Sequence, residues 1–331
     1  MAESLIDRAW RETTPDAIEP DLAQLWREVG QHGRVARAVM SNLVVVRERP
    51  ARGASGVDPD ELAKDLPLDE VVARHPSRVI VIQHDLAPAA PSAPSAVSVG
   101  VLTFGPPQAR YGVEQVIVHA ACAEQSLPSI VRRLLRGDVP TSLWWTDDLT
   151  AVPPIEGLVA MSRQFVYDSR GWRDVRAAVR ALLALHGRLD LADLNWRRLT
   201  PLRHALIQAC RDADIECLRR ADVEIAYRSG EEALGWLALG WLSARLGWTS
   251  GAQPRMTESR DRDPIIRISV GTDLAAALEE RSVSIARGDG GSRFTISVPQ
   301  EHEADAVAAE LRNLGYDVYL KDVLSALAAR W

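Results

Sequence analysis

Apolar and polar positions recur along this chain with two periods, and the period sorts it into helices and strands. Leu22, Leu25, Trp26 and Val29 fall at i, i+3, i+4, i+7 behind Glu19-Pro20-Asp21, which predicts a helix over 20–32. A second surface helix is predicted over 3–12. Asn42–Arg47 is an unbroken apolar run, the pattern of a strand covered on both faces. Further strands are predicted at Val79–Gln83 and Ser162–Tyr167, with Val97–Phe104 and Val113–Ala120 as an antiparallel pair. Helices are predicted over Asp60–Arg74, broken near Pro67, and over 127–136, 171–186 and 200–211. Asp190–Leu199 reads as a polar-aromatic loop. Arg49–Asp58 and Ala87–Ala96 also read as loops, and Ala252–Asp263 as a mobile polar segment.

From about residue 213 the pattern changes. Val223–Arg228 is predicted as a strand and Glu231–Leu246 as a helix that is apolar nearly all round, as a buried or interface helix is. Strands follow at Ile265–Val270, Val283–Ala286 and Arg293–Val298, the last two joined through Gly288-Asp289-Gly290-Gly291. A helix over 301–314, a strand over 316–320 and a helix over 323–331 close the chain. These elements predict two α/β domains. The first, residues 1–170, has a mixed, mostly buried sheet flanked by helices. The second, 171–331, is a smaller α+β domain reached through a helical connection over about 171–212.

One stretch imposes a geometric demand. Thr141–Asp148 reads Thr-Ser-Leu-Trp-Trp-Thr-Asp-Asp. Neighbours in a strand point to opposite faces, so Trp144 and Trp145 cannot enter the same core face. One ring packs under a helix; the other needs a second layer, a partner or a ligand.

Composition limits the function classes. With 47% hydrophobic and 25% charged residues the chain is of ordinary globular type, and its net charge of -6 opposes a general affinity for nucleic acid or anionic membrane. The N-terminus has no signal-peptide pattern and no apolar run approaches the ~18 residues of a membrane span, so a cytoplasmic setting is expected. Cys122, Cys210 and Cys217 make no disulfide framework. His119 with Cys122 lacks a second ligand pair for a metal. Asp147 and Asp148 read as turn carboxylates, His75 as a boundary residue and Gly288–Gly291 as a turn. The chain has no Gly-x-Gly-x-x-Gly, Walker, Gly-x-Ser-x-Gly or His-Glu-x-x-His motif, so no catalytic residue, metal or cofactor is assigned.

A rim does emerge. Trp144, Trp145 and Asp147 end one strand, Asp168-Ser169-Arg170 end another, and Asp193, Asn195, Trp196 and Arg197 follow the next helix. The carboxyl ends of strands form the usual functional edge of an open α/β sheet. Trp and Arg without a nucleophile–base pair fit recognition, and equally fit tryptophans that fill a join between domains.

Six segments occur in order: Arg37-Ala38-Val39-Met40-Ser41-Asn42-Leu43-Val44-Val45, His75-Pro76-Ser77-Arg78, Cys122-Ala123-Glu124-Gln125, Leu143-Trp144-Trp145, Asp168-Ser169-Arg170 and Asp193–Pro201. Together they resemble the glucose-6-phosphate dehydrogenase assembly protein family, OpcA, from about residue 35 to about 250. Two places depart from the family pattern: Thr146-Asp147 stands for Pro-Gly, and Leu202 for Trp.

The resemblance implies a protein without catalytic activity that promotes assembly or activation of glucose-6-phosphate dehydrogenase in the oxidative pentose phosphate pathway. The expected contact surface is Trp144, Trp145, Asp168, Arg170, Asn195, Trp196 and Arg197. The alternative is a sugar-phosphate-binding α/β sensor or enzyme that uses Arg170 and Arg197 at the same rim.

Overall fold

A computed structural model describes residues 6–31, 33–49, 65–85, 96–106, 108–120, 126–210, 222–248, 254–260, 264–271, 274–288, 293–315 and 317–331. Most of the loops expected over 49–58 and 87–96, the start of the helix from residue 60, and most of the turn at 288–291 lie outside these residues; Arg49 and Ala96 belong to strands.

Among the described residues the first sheet has nine strands: β1 (Asp7–Thr13), β2 (Val35–Arg37), β3 (Ser41–Arg49), β4 (Ser77–Asp85), β5 (Ala96–Phe104), β6 (Arg110–Ala120), β7 (Thr141–Trp145), β8 (Gln164–Tyr167) and β9 (Asp190–Asp193). Its parallel part runs β6-β4-β3-β7-β8-β9. Counting those six strands alone in chain order gives 3-2-1-4-5-6, the doubly wound arrangement, with its reversal point between β3 and β7. β5 lies antiparallel on β6, β1 antiparallel on β5, and β2 pairs with the start of β6. The chain is thus α/β, with a large mixed sheet flanked by helices and a second, smaller sheet.

Both faces of the central parallel strands are dry, because their apolar runs leave no polar face to offer water, whereas β1 and β2 are half-buried to exposed. Trp145 shares its face with Val44, Val46, Ile80, Leu143 and Phe165, under α1 (Ile18–Gln31), α3 (Leu127–Leu134), α4 (Glu156–Val159) and α5 (Val175–Leu185). Trp144 points the other way, with Leu43, Val45, Val81 and Val166, under α2 (Leu68–Arg74) and a helix from the far end of the chain, residues 303–312. Each indole is 1% exposed. The Trp145 indole donates to the Val152 carbonyl at 3.1 Å. Its ring begins a run of aromatic contacts through Phe165, Tyr167 and Trp172, with centroids 6.2, 5.8 and 5.3 Å apart.

The opposite, amino-terminal ends of the parallel strands carry a buried polar network. Arg78 is fully buried and reaches Glu114 at 2.5 Å and Glu19 at 2.6 Å. The Trp26 indole and Arg136 also donate to Glu114, at 2.9 and 3.1 Å. Against its burial, these cations and the indole donor hold the Glu114 carboxyl below the ordinary carboxylate range. Asn42 donates to the Arg136 carbonyl and accepts from the Arg136 N–H, both at 2.9 Å. The Ser41 hydroxyl meets His75 and Ser77 at 3.2 and 2.9 Å.

The second sheet holds β10 (Val223–Arg228), β11 (Arg255–Ser259), β12 (Ile266–Val270), β13 (Leu274–Leu278), β14 (Ser282–Arg287) and β15 (Phe294–Ser297), in the order β11-β10-β12-β13-β14-β15. It is reached through α6 (Leu194–Arg198) and α7 (Thr200–Ala209). On it lies α8 (Glu232–Leu246), the helix apolar all round, which is buried within the chain. Beyond the 303–312 helix, here α9, the last helix α10 (Val318–Ala328) packs on α5 and α8. Gly240 allows the close crossing: a Cβ there would stand 2.8 Å from both Leu327 and Val323.

Several expectations change. Residues 7–13 form an edge strand, because Trp10 lies over the bare backbone of Gly100 on the paired β5. Residues 190–198 are not a loop but β9 and α6. Residues 255–259 are ordered as β11 beside β10, and β13 was not expected. No strand forms at 317–320; the Asp317 carboxylate accepts from the Tyr319 and Leu320 N–H groups and starts α10 there. Because β9 is bonded to β8, the first sheet continues past residue 171, where the second domain was expected to begin. Cover for the Trp144 face also comes from the far end of the chain. Arg74 pairs with Asp305 at 2.5 Å, and the Gln164 amide donates to the Glu310 carbonyl at 2.9 Å.

Two outcomes follow for stability. Trp144→Ala and Trp145→Ala should each lower unfolding free energy by about 3–5 kcal/mol in a urea titration; an unchanged midpoint for either would place that ring outside the core. Arg78→Met should cost about 3–5 kcal/mol by stranding the Glu114 carboxylate, and Glu114→Gln added to it should recover part of the loss. A double variant no better than the single one would show that the pair is not coupled.

Candidate functional site

The rim predicted from strand ends does assemble at the carboxyl edge of β7, β8 and β9. Each side chain there is fixed by its neighbours. Asp193 caps α6: its Oδ1 accepts from the Asn195 N–H at 2.8 Å and from the Ser169 N–H at 3.1 Å. The Asn195 amide donates to the Ser169 hydroxyl at 3.1 Å and accepts from Arg198 at 2.9 Å. Arg198 in turn grips Glu231 with two bonds of 2.8 Å. The Trp196 indole donates to Asp317 at 2.8 Å. Arg197 reaches Glu301 at 2.8 Å and Glu310 at 3.1 Å. Arg170 pairs with Asp168 at 2.8 Å.

Of the seven residues expected to form a contact surface, four do not present side chains to solvent. Trp144 and Trp145 are 1% exposed, Trp196 is 3% exposed, and Asn195 is fully buried. A partner meeting this surface as it stands touches none of these four side chains; Asp168, Arg170 and Arg197 remain at the edge. The alternative use of Arg170 and Arg197 for a sugar phosphate meets a second constraint, since both guanidinium groups already hold carboxylates.

Other candidates take structural positions. Asp148 accepts from the Thr150 N–H and hydroxyl at 2.9 and 2.7 Å and from the Arg173 N–H at 3.1 Å. Against partial burial, those donors keep its carboxyl below the ordinary range. His75 is buried and its imidazole pKa is lowered, by burial first and by Arg312 second. His119 is buried on β6, whereas Cys122 and Cys217 lie outside the described residues. At the reversal point, the Thr146 N–H and hydroxyl both donate to the Val46 carbonyl, at 3.3 and 3.1 Å.

The electrostatics single out Asp193. Burial, and then the neighbouring Asp168 charge, push its carboxyl up to about 7. Glu303 and Glu310 are also raised, in both cases mainly by burial. Tyr167, wholly buried, is raised by burial and by Asp193 and Asp317, and its hydroxyl has no hydrogen-bond partner among the described residues. Beside the rim, a cleft of about 820 Å³ opens between α6–α7 and the edge of the second sheet, lined by Arg170, Arg197, Arg198, His204, Glu279 and Ile296. The residues that sequence reasoning missed are the partners: Glu231, Glu301, Glu310, Asp317 and Arg203. Asp317 alone carried a local sign, as a capping residue before an apolar run.

Comparisons with known proteins bear on most of the chain. Two family models describe the two domains of a glucose-6-phosphate dehydrogenase subunit; the N-terminal domain model matches residues 68–184 and the C-terminal domain model matches residues 189–324. A curated relative from Nostoc punctiforme, named for the OxPP cycle and OpcA, is 28% identical over 257 residues, 70% of this chain and 53% of the relative. The chain therefore spans about half the length of that relative. Among solved structures, a Gfo/Idh/MocA family oxidoreductase from Vibrio cholerae aligns with a TM-score of 0.39 at 8% identity, over 88% of this chain and 96% of the other. An oxidoreductase from Sinorhizobium meliloti aligns with a TM-score of 0.42 at 9% identity, over 89% and 95%.

The raised Asp193 carboxyl has a measurable consequence. Between its ordinary value of 3.8 and its folded value of about 7, the folded chain holds a proton that the unfolded chain has released. Stability therefore falls as pH rises through that window, and the penalty is absent below it. Asp193→Asn keeps an acceptor oxygen and removes the ionisation. Its melting temperature should drop less than that of the unaltered chain between about pH 5 and about pH 7.5; parallel curves would show that Asp193 ionises without penalty.

Proposed function

Because the chain belongs to the glucose-6-phosphate dehydrogenase assembly protein family, OpcA, we propose that it is a non-catalytic partner of glucose-6-phosphate dehydrogenase. It binds that enzyme and favours its active oligomer in the oxidative pentose phosphate pathway. The observation that supports this reading is the state of the rim. Its carboxylates, guanidiniums and indoles are engaged with one another and with α9 and α10, in the arrangement of a fixed surface. The docking surface is centred on Asp168, Arg170 and Arg197 and on the cleft beside them, where Ile296 and Pro201 add apolar area to the charged edge.

Activation by such a partner needs only unequal affinity. A protein that binds the active form of the dehydrogenase tenfold more tightly than the inactive form shifts that equilibrium by about 1.4 kcal/mol, within the ordinary range of coupling between sites. No group on this chain has to touch the substrate.

The experiment mixes the purified chain with its cognate dehydrogenase and follows co-elution on a sizing column together with the rate against glucose 6-phosphate. A complex with a changed rate is expected. Arg170→Glu, which reverses a half-exposed charge paired with its neighbour Asp168, should weaken the complex by about tenfold (~1.4 kcal/mol); because the new carboxylate stands near Asp168, Glu231 and Glu303, binding is compared well below the variant's own melting temperature. Absence of both complex and rate change with the unaltered chain would remove the proposal. A full-strength complex with Arg170→Glu would move the docking surface elsewhere.

A further inference from the structure

A second cavity, of about 560 Å³, opens between the carboxyl end of β9, the start of α7 and the turn between α9 and α10. Its volume falls in the range of small-molecule sites. One wall is Arg203, whose guanidinium lies 3.6 Å above the Trp196 ring. That stack immobilises the fork before anything binds. Among the described residues the guanidinium donates one hydrogen bond, from Nη2 to the Thr200 hydroxyl at 2.8 Å, and it forms no ion pair. Its Nε–H is buried and has no acceptor there. Arg170, Arg197 and Arg198 around the rim all hold carboxylates; Arg203 does not. Burial accordingly draws its pKa down to about 10, in spite of Asp317 nearby.

The rest of the lining is rich in hydrogen-bond acceptors. Asp193, Glu310 and Asp317 face the cavity, and Asn313 adds an amide. These carboxylates have assigned roles: Asp193 caps α6, Glu310 pairs with Arg197, and Asp317 holds the Trp196 indole and caps α10. Each keeps oxygen lone pairs that suit hydroxyl donors. The cation lacking an acceptor and the acceptor-rich walls together describe one kind of molecule.

We propose that this cavity binds a small polyhydroxylated anion, with Arg203 and Thr200 taking its carboxylate or phosphate and the Asp193, Asn313 and Asp317 wall taking its hydroxyls. A planar or tetrahedral oxyanion can accept end-on from the two Nη groups of Arg203, of which only one N–H is committed to Thr200, a bidentate geometry for which arginine is suited. Such a ligand would also bridge β9, α7 and the α9–α10 turn, the place where the returning end of the chain meets the first sheet. The cavity shares Arg197 and Thr200 with the docking cleft, but its ligand is tested on the full chain alone, so its failure leaves the docking proposal untouched.

The test is calorimetry of the full chain with gluconate, sorbitol 6-phosphate, sorbitol and inorganic phosphate, with Trp196 emission as a second readout. Gluconate or sorbitol 6-phosphate should bind at least tenfold more tightly than sorbitol or phosphate. Arg203→Met should weaken that binding at least tenfold while the circular dichroism spectrum is preserved. Asn313→Asp, at an exposed position, adds a like charge to the wall and should weaken it several-fold in a chain whose fold is unaltered. No binding of either anionic polyol at ~10 mM, or equal binding of inorganic phosphate, overturns the proposal. So does an affinity unchanged by Arg203→Met; should that variant fail to fold, an affinity unchanged by Asn313→Asp does the same.

Discussion

Two adjacent tryptophans on β7 require dry cover on opposite faces of one sheet, and much of the architecture answers that requirement. The Trp145 face is closed locally, by the crossover helices between successive strands. The Trp144 face is closed by α2, which is only seven residues long, and by α9, which arrives from residues 303–312. For α9 to lie there the chain must leave the first sheet, build the second, and return. The Arg74–Asp305 pair and the Gln164 bond to the α9 backbone hold the return in register. The rim contacts of Trp196 and Arg197 point to the same returning segment. The rim is therefore where the returning segment is fastened to the edge of the first sheet.

The amino-terminal edge of the parallel strands follows a different logic. A fully buried arginine beside a buried glutamate is a poor source of net stability, because desolvation offsets most of the attraction. What it fixes is position. Arg78 on β4, Glu114 on β6, Glu19 and Trp26 on α1 and Arg136 after α3 meet only in one arrangement. Ser41-Asn42 and His75–Arg78, two of the segments by which the family is recognised, belong to this edge. They mark architecture more than chemistry.

How much was legible in the sequence depends on the distance over which each feature is decided. The β-branched runs of β3 and β4 announce buried strands, and the alternation of Trp144 and Trp145 announces two covered faces. The meeting of Asp168, Asp193 and Asn195 was also readable, because strand ends converge in a parallel sheet. The fate of those side chains was not. Trp196 is held from 121 residues away, and Arg197 from 104 and 113. No local pattern encodes such contacts, so the sequence did not reveal that Trp196 and Arg197 also fasten distant segments. Residues 7–13 were misread for a similar reason: Trp10 takes its conformation from the bare backbone of Gly100, on a strand far along the chain. The turn chemistry of Asp317 was local and available, and an apolar Val-Tyr-Leu run obscured it.

The late arrival of α9 matters while the protein is being made. A ribosome delivers the chain from its first residue, so β3, β4, β7 and β8 can pair long before residue 303 exists. During that interval the Trp144 side of the sheet is an apolar plane with, among the described residues, only the short helix α2 to cover it. Long-range closure of this kind slows folding and leaves surface that attracts other nascent chains. A chain cut short before α9 would keep that plane exposed permanently, so the late-made α9 acts as a quality check on the first sheet.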